Sequence, residues 1–368
     1  MTIALLLLPD VAVLSVRKVS QITGETDRQR HVATDNQTES RVGLRGIDLG
    51  ASFEHRGRLV FLFGDTWPLG PNTPDRPVDG DAIAFSDDRN PDDGLSLSFV
   101  TASDGRYKAV SIPGVSLGGF EVPNGGFSAN GHMYGFYTTD AKPNRDTIMG
   151  RCVLARSDDG RVWRKVYDLS TTHFINVAPV VVDAARTPGL PIDRGQGLLM
   201  WASGRDYRRS SPRLAFVPLG QVEDRKAIRY WDGKGWSGKE EDAQPTFDHP
   251  VVGELSVAYC APLGRWLMTY NSGAPRGILL RTAEGPTGPW SEPKVLFDPK
   301  DGYGRFMHVR DSKDGLADPN REGEYGGEYA PYVIPRFFKK TPAGAAIYFT
   351  MSIWNPYAVV LMRAELKG

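Results

Sequence analysis

"EHRGRLVFLFGDT", residues 54–66, has the pattern that decides the fold of this chain. A polar turn with a glycine at position 57 precedes a short apolar and aromatic run that is typical of a β-strand. Four later segments repeat this pattern, which indicates five similar supersecondary units. The repeats are "SANGHMYGFYTTD" at 128–140, "IDRGQGLLMWASG" at 192–204, "APLGRWLMTYNSG" at 261–273 and "TPAGAAIYFTMSI" at 341–353.

Each unit also has a strand-like run before its turn and another after its aromatic strand, which is typical of β-propeller blades. The chain ends soon after the third strand of the fifth unit, so we expect an N-terminal strand near residues 11–19 to complete that blade. We therefore predict an all-β, five-bladed β-propeller closed by an N-terminal strand, in a single domain over residues 1–368. The predicted blades cover roughly residues 44–105, 115–170, 172–240, 248–298, and 325–368 together with 11–20.

The charge of the chain is balanced, with 44 Lys and Arg residues against 44 Asp and Glu residues. Because the net charge is zero, no overall electrostatic field attracts nucleic acid or an anionic membrane, and we expect neither as a partner. A neutral ligand fits this charge balance best. The two cysteines, Cys152 and Cys260, lie far apart without metal-type spacing, which excludes a disulfide scaffold. We expect a monomer.

An apolar run at residues 3–8 stands near the start of the sequence. It is too short to span a membrane, and it lacks the basic residues that begin a signal peptide. We interpret the segment as leading into a buried strand through residues 11–16, with the remnant of a trimmed signal peptide as the alternative. The sequence therefore predicts no membrane insertion and leaves the localisation open.

Two aspartates lie at the open end of a predicted hairpin, "GIDLGASFEHRGRLVFLFGDTW" at 46–67. Asp48 and Asp65 stand at similar distances from the turn, so we expect their side chains to face each other about 5 Å apart. Two like charges this close raise the pKa of one of the carboxyl groups, and their repulsion does not stabilise the fold at neutral pH. Glycoside cleavage, however, uses two carboxyl groups, one of which must carry a proton. We predict that both aspartates are catalytic.

The start of the first strand and the end of the second share one face in every propeller blade. Glu254 of blade four occupies the place that Asp48 has in blade one, about opposite Ser272, and we predict a third catalytic carboxylate there. It would orient the substrate or tune the pKa of the acid; the alternative is that such axial groups are solvated, bind a neighbouring backbone or hold an ion. The remaining predicted polar rim residues are Glu121, Asn124, Asn176 and Glu328.

Aromatic side chains near the same rim suit a sugar, whose C–H face packs on a ring while its hydroxyls bond to Asp, Asn and Arg. We expect no cofactor and assign no metal ligands. A Ca²⁺ ion on the axis or in the acidic loop at 298–324 is left open, although the EF-hand spacing is absent. The predicted substrate contacts besides the polar rim are Trp67, Trp201, Arg205, Tyr329 and Trp354.

Five long motifs stand out in the chain: "GIDLGASFEHRGRLVFLFGDTW", "GELSVAYCAPLGRWLMTYN", "GPWSEPKVLF", "GEYAPYVIPRF" and "SIWNPYAVVLMR". They resemble the bacterial family catalogued as domain of unknown function 4185, and the similarity runs from about residue 19 to residue 363. Members of that family include endo-D-arabinanases of glycoside hydrolase family 183, which cut the D-arabinan of arabinogalactan and lipoarabinomannan. The resemblance implies a five-bladed propeller with an acidic axial funnel, and the family's aspartates in "D-L-G" and "F-G-D-T" fall on Asp48 and Asp65.

Together these observations predict a glycoside hydrolase that cleaves a furanose-containing bacterial polysaccharide, which would favour a secreted or cell-envelope location. The rivals are a non-catalytic carbohydrate-binding propeller and a sialidase-like hydrolase, although the latter would need several arginines around its anionic substrate. A hairpin pair at about 5–5.5 Å would fit a retaining mechanism. An aspartate paired with Glu254 across the funnel would fit inversion, which we favour because many five-bladed propeller glycosidases set acids from different blades around the pocket.

Overall fold

The computed structural model describes residues 10–142, 147–300, 302–309, 316–318 and 321–368. The described N-terminal segment consists of one long strand, a small hairpin and one short helix. Their bounds are β1 Ala12–Gln21, β2 Thr26–Asp27, β3 Val32–Ala33 and α1 Thr38–Val42. No helix among these described residues is long and apolar enough to cross a membrane. The apolar run at residues 3–8 lies outside the described residues.

Five antiparallel sheets then follow one another along the chain and stand in a ring, which confirms the predicted five-bladed β-propeller. Blade 1 consists of β4 Leu44–His55, β5 Arg58–Pro68, β6 Gly80–Ser86 and β7 Ser98–Phe99. Blade 2 consists of β8 Pro123–Ala129, β9 His132–Thr139, β10 Arg151–Ser157 and β11 Trp163–Ser170. Blade 3 consists of β12 Asn176–Asp183, β13 Gln196–Ser203, β14 Arg213–Pro218, β15 Arg229–Trp231 and β16 Trp236–Ser237.

The last two blades complete the ring. Blade 4 consists of β17 Leu255–Cys260, β18 Arg265–Gly273, β19 Arg276–Ala283 and β20 Lys294–Phe297. Blade 5 consists of β21 Glu328–Val333, β22 Lys339–Thr341, β23 Gly344–Ile353, β24 Ala358–Lys367 and the N-terminal strand β1. Short 3₁₀ helices in the connections are Ala184–Arg186, Leu219–Gln221, Arg225–Ala227, Glu240–Asp242, Gly302–Phe306 and Pro335–Phe337.

The strand β1 closes the propeller, as the sequence predicts. It pairs antiparallel with β24, from Ala12 opposite Lys367 to Gln21 opposite Val360. Only its last four residues are buried, and of these Val19 packs in the cluster between blades 5 and 1, whereas Lys18, Ser20 and Gln21 are polar. Because the last strand of the chain pairs with the first, β24 has no free edge on which another chain could add a strand.

The repeated glycines lie at the turns between the first two strands of the blades. All five have a positive φ, between 61° at Gly264 and 151° at Gly344. Glycine adopts this conformation without the steric cost that a Cβ atom brings. The repeat therefore reports a backbone requirement of the turn, which is why it can be read from the sequence.

The core consists of apolar clusters between neighbouring blades. One cluster joins each adjacent pair around the ring, including the pair formed by blades 5 and 1. A sixth, smaller cluster lies at the axis and contains Leu49, Val122 and Tyr357. Burial of these faces is the main force that holds the blades together, and it leaves the axis as the place where polar side chains meet.

Candidate active site

A cavity of 440 Å³ opens at the end of the axis where the first strands begin, and all five blades contribute to its wall. Asp48, Asp65 and Asp79 of blade 1 form one side. Glu254 of blade 4 and Glu328 of blade 5 add two more carboxylates. The cavity is therefore acidic and lies where the sequence places the funnel.

The backbone of blade 1 differs from the regular hairpin that the sequence suggests. Asp48 pairs with Gly64, not with Asp65, because register shifts interrupt the β4–β5 ladder on both sides of Asp48. Asp65 has a left-handed φ of 42°, and Leu49 has one of 64°. Such conformations are disfavoured for non-glycine residues and are found at functional sites. The expected face-to-face pair is thus wrong in register, although both side chains reach the cavity.

Gly64 is required for this arrangement. A Cβ atom at this position would lie 2.7 Å from Cγ1 of Val122 and 2.9 Å from Cδ1 of Leu49. It would also lie 2.9 Å from Cβ of Val122, which cannot move without its backbone, so a larger residue would displace blade 1 from blade 2. The close approach brings the bulge that carries Asp65 against the wall of the cavity.

Asp48 is a buried carboxyl group with one strong hydrogen bond. The Tyr329 hydroxyl donates to Oδ2 at 2.8 Å, whereas Oδ1 has no partner. Burial is the largest influence and raises the pKa of Asp48 to about 7; the charge of Glu254 adds to the rise. The hydroxyls of Tyr329 and Tyr357 and the Arg208 guanidinium act in the opposite direction. Asp48 therefore changes charge near neutral pH.

Asp65 has weaker support for a negative charge. Among the described residues, its carboxyl accepts only the main-chain N–H of Phe120, at 3.2 Å and 3.4 Å to its two oxygens. Burial, followed by the charges of Asp48 and Asp79, raises the pKa of Asp65 well above its ordinary value. The two aspartates are therefore unequal: the ionised form of Asp48 has a hydroxyl donor, whereas Asp65 has a main-chain donor and two acidic neighbours.

These raised pKa values predict how stability depends on pH. An unfolded aspartate ionises near pH 3.9, roughly, whereas folded Asp48 holds its proton to about pH 7. The protonated Asp48 carboxyl group therefore makes its full contribution to stability below the pKa that it has in the unfolded chain. This contribution is lost as the pH rises through its pKa in the folded protein. We expect Asp48→Asn to raise the melting temperature relative to wild type at pH 8 and not at pH 4. A difference that is the same at both pH values would contradict this assignment.

Glu254 is held by two residues that the sequence analysis did not identify. The Tyr207 hydroxyl donates to its Oε1 at 2.9 Å, and Nη2 of Arg208 contacts both oxygens at 3.1 Å. Although burial opposes the charge of Arg208, the Glu254 carboxylate holds its pKa above the ordinary value. Glu254 lies just before β17. The Gly253 amide donates to the Asn271 carbonyl, which places Glu254 beside Asn271. The sequence predicts a position opposite Ser272, one residue away.

Glu328 has a similar partner. Arg276 donates to it through Nε at 3.3 Å and Nη2 at 3.1 Å, and the glutamate side chain is only 4% exposed. Both glutamates of the cavity wall are therefore engaged by arginines. Among the described residues, the cavity aspartates Asp48, Asp65 and Asp79 have no such ion pair.

Exposed rings surround the mouth of the cavity. Trp354, Tyr325 and Phe120 each expose more than a third of their surface there, which is unusual for large apolar side chains. Trp354 packs edge-on against Trp67 at 5.9 Å and against Tyr357 at 5.2 Å. The mouth therefore offers aromatic surface above the carboxyl groups.

Several predicted substrate-binding residues line the cavity, and others do not. The structure places Asn124, Asn176, Glu328, Tyr329 and Trp354 in the wall. Trp201, in contrast, is fully buried between blades 3 and 4, where it packs on Trp266 at 5.4 Å and on Trp290 at 6.3 Å. Its indole has no surface left for a sugar, which corrects the prediction.

Three further predicted contacts lie outside the cavity. Both carboxylate oxygens of Glu121 are used within the protein, by the Ser116 hydroxyl at 2.6 Å and the Ala141 amide at 3.0 Å. Arg205 is exposed, and its main chain bonds to Thr172 and Met149. Trp67 lines a neighbouring surface groove. These residues lie near strand ends that reach the rim, but that position did not determine the direction in which their side chains point.

No group of three or more metal-ligating residues that could hold an ion occurs among the described residues. In the acidic loop considered for Ca²⁺, residues 301, 310–315 and 319–320 lie outside the described residues. The Ca²⁺ site considered in this loop therefore lies partly outside the described residues.

A model of the family described as "Domain of unknown function (DUF4185)" matches residues 33–363. Two proteins from Aspergillus are similar over most of their length. "Notoamide biosynthesis cluster protein J" of Aspergillus sp. (strain MF297-2) is 27% identical over 361 residues, which cover 86% of this chain and 89% of that protein. "Notoamide biosynthesis cluster protein J'" of Aspergillus versicolor is 25% identical over 323 residues, covering 78% of this chain and 83% of that protein.

Solved structures share the propeller fold at low sequence identity. The structure described as "The GH130 family of mannoside phosphorylases contains glycoside hydrolases that target beta-1,2 mannosidic linkages in Candida mannan" has a TM-score of 0.50, with 12% identity over 97% of this chain and 95% of that one. The "Catalytic domain of Coprinopsis cinerea GH62 alpha-L-arabinofuranosidase" has a TM-score of 0.46, with 11% identity over 96% of both chains. These similarities concern the fold.

Proposed function

This protein belongs to the DUF4185 family, and from that premise we propose that it is a glycoside hydrolase acting on a furanose-containing polysaccharide, as endo-D-arabinanases do. One observation carries the proposal. Asp48 and Asp65 line the same axial cavity, and their carboxyl groups accept from different donors, the Tyr329 hydroxyl and the Phe120 N–H. Such a pair of unequal carboxyl groups is what glycosidic cleavage needs.

We assign the roles from the hydrogen bonds. Asp65 is the general acid, because burial and its acidic neighbours keep the proton on its carboxyl. Asp48 is the base or nucleophile, because the Tyr329 hydroxyl stabilises its ionised form. NMR of the anomer that forms first distinguishes these two roles, because a base gives inversion and a nucleophile gives retention. We expect inversion.

A neutral sugar fits this cavity better than an anionic one. Arg208 in the wall is paired with Glu254, and Arg276 beside it is paired with Glu328. Neither guanidinium is therefore available to a substrate carboxylate without breaking an ion pair. This pairing argues against a sialidase-like activity, which would need arginines facing its substrate.

Trp354 is the side chain best placed to stack on a sugar next to the cleaved bond. It is 40% exposed at the mouth, and Trp67 and Tyr357 support its ring. We expect Trp354→Ala to raise KM by roughly fivefold, since an aromatic contact contributes on the order of 1 kcal/mol, with a much smaller change in kcat. Tyr259→Ala is the matched control, because Tyr259 is exposed at the other end of the axis. A KM that changes equally in both variants would contradict this role.

Incubation with arabinogalactan, arabinan and sialylated glycans, followed by chromatography, tests the activity and the substrate class together. We expect shorter arabinose oligosaccharides from the first or second polymer and no release of sialic acid. Binding of oligosaccharide without any product would instead support the non-catalytic carbohydrate-binding alternative.

The relatives named for a notoamide biosynthesis cluster favour a second candidate function. In that case the same carboxyl groups would act on a biosynthetic small molecule, for which a cavity of 440 Å³ has room. The absence of cleavage on every glycan, together with binding of aromatic small molecules in the cavity, would favour this alternative.

A further inference from the structure

The Tyr357 side chain crosses from blade 5 to the bulge of blade 1 that carries Asp65. Tyr357 lies in the connection between β23 and β24. Its hydroxyl donates to the main-chain carbonyl of Asp65 at 2.7 Å. The residue is buried, although it belongs to the wall of the axial cavity. A side chain of one blade therefore contacts the backbone of another at the point where the proposed general acid lies.

The sheet of blade 1 gives the Asp65 backbone little support of its own. Both ladders of β5 shift register there, between Gly64 and Trp67 on the β4 side and between Phe63 and Thr66 on the β6 side. Among the described residues, neither ladder gives Asp65 a partner residue. Its left-handed φ of 42° is disfavoured for a residue with a side chain. Such a conformation persists only where the surroundings hold it.

Packing on several sides fixes the place of the Tyr357 ring. The centroids of the Trp67 and Trp354 rings lie 5.0 Å and 5.2 Å from its own centroid. A Cβ atom at Gly46 would come within 2.6 Å of Cδ1 of Tyr357, so glycine leaves the room that the ring needs. Burial raises the pKa of Tyr357 well above its ordinary value, and the hydroxyl therefore keeps the proton that it donates.

Two neighbouring blades hold the two ends of Asp65. The main-chain N–H of Phe120, in the segment before β8, donates to the carboxyl group at 3.2 Å. The Tyr357 hydroxyl donates to the carbonyl. If the second bond is lost, the peptide unit after Asp65 can rotate, and the direction of the side chain changes with it. A general acid must meet the leaving oxygen at hydrogen-bond distance, so a small displacement lowers the rate.

We propose that Tyr357 is a positioning residue, whose hydroxyl holds the Asp65 carbonyl and so keeps the general acid directed into the cavity. This inference rests on the proposed function, because it assigns a role relative to the general acid. Tyr357 gives no proton to the substrate, since its hydroxyl is engaged with the main chain. Its contribution therefore appears in kcat and not in substrate binding.

Tyr357→Phe tests this role, because it removes the hydroxyl and keeps the ring that packs on Trp67 and Trp354. We expect kcat on arabinan to fall by about tenfold, with KM within about twofold of wild type. Tyr137→Phe is the matched control, since it removes a buried hydroxyl that has no hydrogen-bond partner among the described residues. An unchanged kcat in Tyr357→Phe, a change in KM alone, or an equal loss in the control would overturn the proposal.

A nitrophenyl glycoside of an arabinose oligosaccharide separates a misplaced acid from general damage to the site. Nitrophenolate leaves without receiving a proton, so cleavage of this substrate does not need the acid. We expect Tyr357→Phe to cleave it within about twofold of the wild-type rate, since the variant lacks only a correctly placed proton donor. The same loss as on arabinan would overturn the assignment of Tyr357 to the acid.

Hydrogen exchange followed by mass spectrometry reports on the bulge without any catalysis. We expect faster exchange in the peptide that contains residues 64–66 in Tyr357→Phe and not in Tyr137→Phe, because the bulge opens more readily without its hydroxyl donor. Unchanged exchange would overturn the positioning role. Wild type that cleaves neither the polysaccharides nor the nitrophenyl glycoside would instead refute the proposed function, while exchange would still decide whether Tyr357 holds the bulge.

Discussion

Asp48→Asn and Asp65→Asn are each expected to lower kcat by about 10³-fold or more, while the protein remains folded. Asparagine has nearly the shape of aspartate, but it can neither give up a proton in the relevant pH range nor act as a carboxylate nucleophile. Tyr329 can still donate to an amide oxygen at position 48, so the wall of the cavity should persist. The loss would therefore reflect chemistry.

The control for both variants is Asp87→Asn, which changes an exposed aspartate of the same blade that pairs with Arg58. Its rate should match that of wild type. Reducing ends released from polysaccharide give the rates, and circular dichroism verifies the fold. Full activity in either cavity variant would remove that aspartate from the mechanism.

Glu254→Gln is expected to have the second-largest effect, because it changes stability and catalysis together. The substitution leaves the Arg208 guanidinium without its counter-charge, and because that side chain is 34% exposed and can be solvated, we expect a loss of about 1 kcal/mol of unfolding free energy. Glu254 also raises the pKa of Asp48. Without it, the acidic limb of the pH profile should move to lower pH, and kcat should fall because the substrate loses an orienting group.

Glu328→Gln provides the matched comparison. Glu328 has the same bidentate arrangement, and its partner Arg276 is 35% exposed on the side chain, against 34% for Arg208. We therefore expect a similar loss of stability in both variants, but a shifted acidic limb only in Glu254→Gln, because the charge of Glu254 raises the pKa of Asp48. Denaturant unfolding and pH–rate profiles measure both effects, and an unchanged acidic limb would leave Glu254 as a structural counter-ion of Arg208.

The architecture could be predicted from the sequence because its signals are local. Each turn glycine, such as Gly57 or Gly131, reports a positive φ within a few residues of an alternating strand. Asp48 and Asp65 could be located as well, since their distance from the turn of one hairpin fixes the end at which they lie. The bulge that contains Asp65 could not be predicted from the sequence, because it depends on how Val122 of the next blade packs against Gly64.

The rest of the site depends on contacts that no local pattern shows. Arg208 lies in the loop after β13, and it meets Glu254 only because blades 3 and 4 are neighbours in the ring. Trp201 lies near the end of β13 that reaches the rim, but its side chain is buried between blades 3 and 4.

The most direct test of the central claim follows the oxygen that enters the product. Arabinogalactan is digested in water enriched in the heavy isotope of oxygen, and the oligosaccharides are weighed by mass spectrometry. Hydrolysis by the Asp48–Asp65 pair predicts one heavy oxygen at each new reducing end with wild type and no product with Asp65→Asn. Products without the heavy isotope, or equal product from both proteins, would contradict the assignment of this cavity as a hydrolytic site.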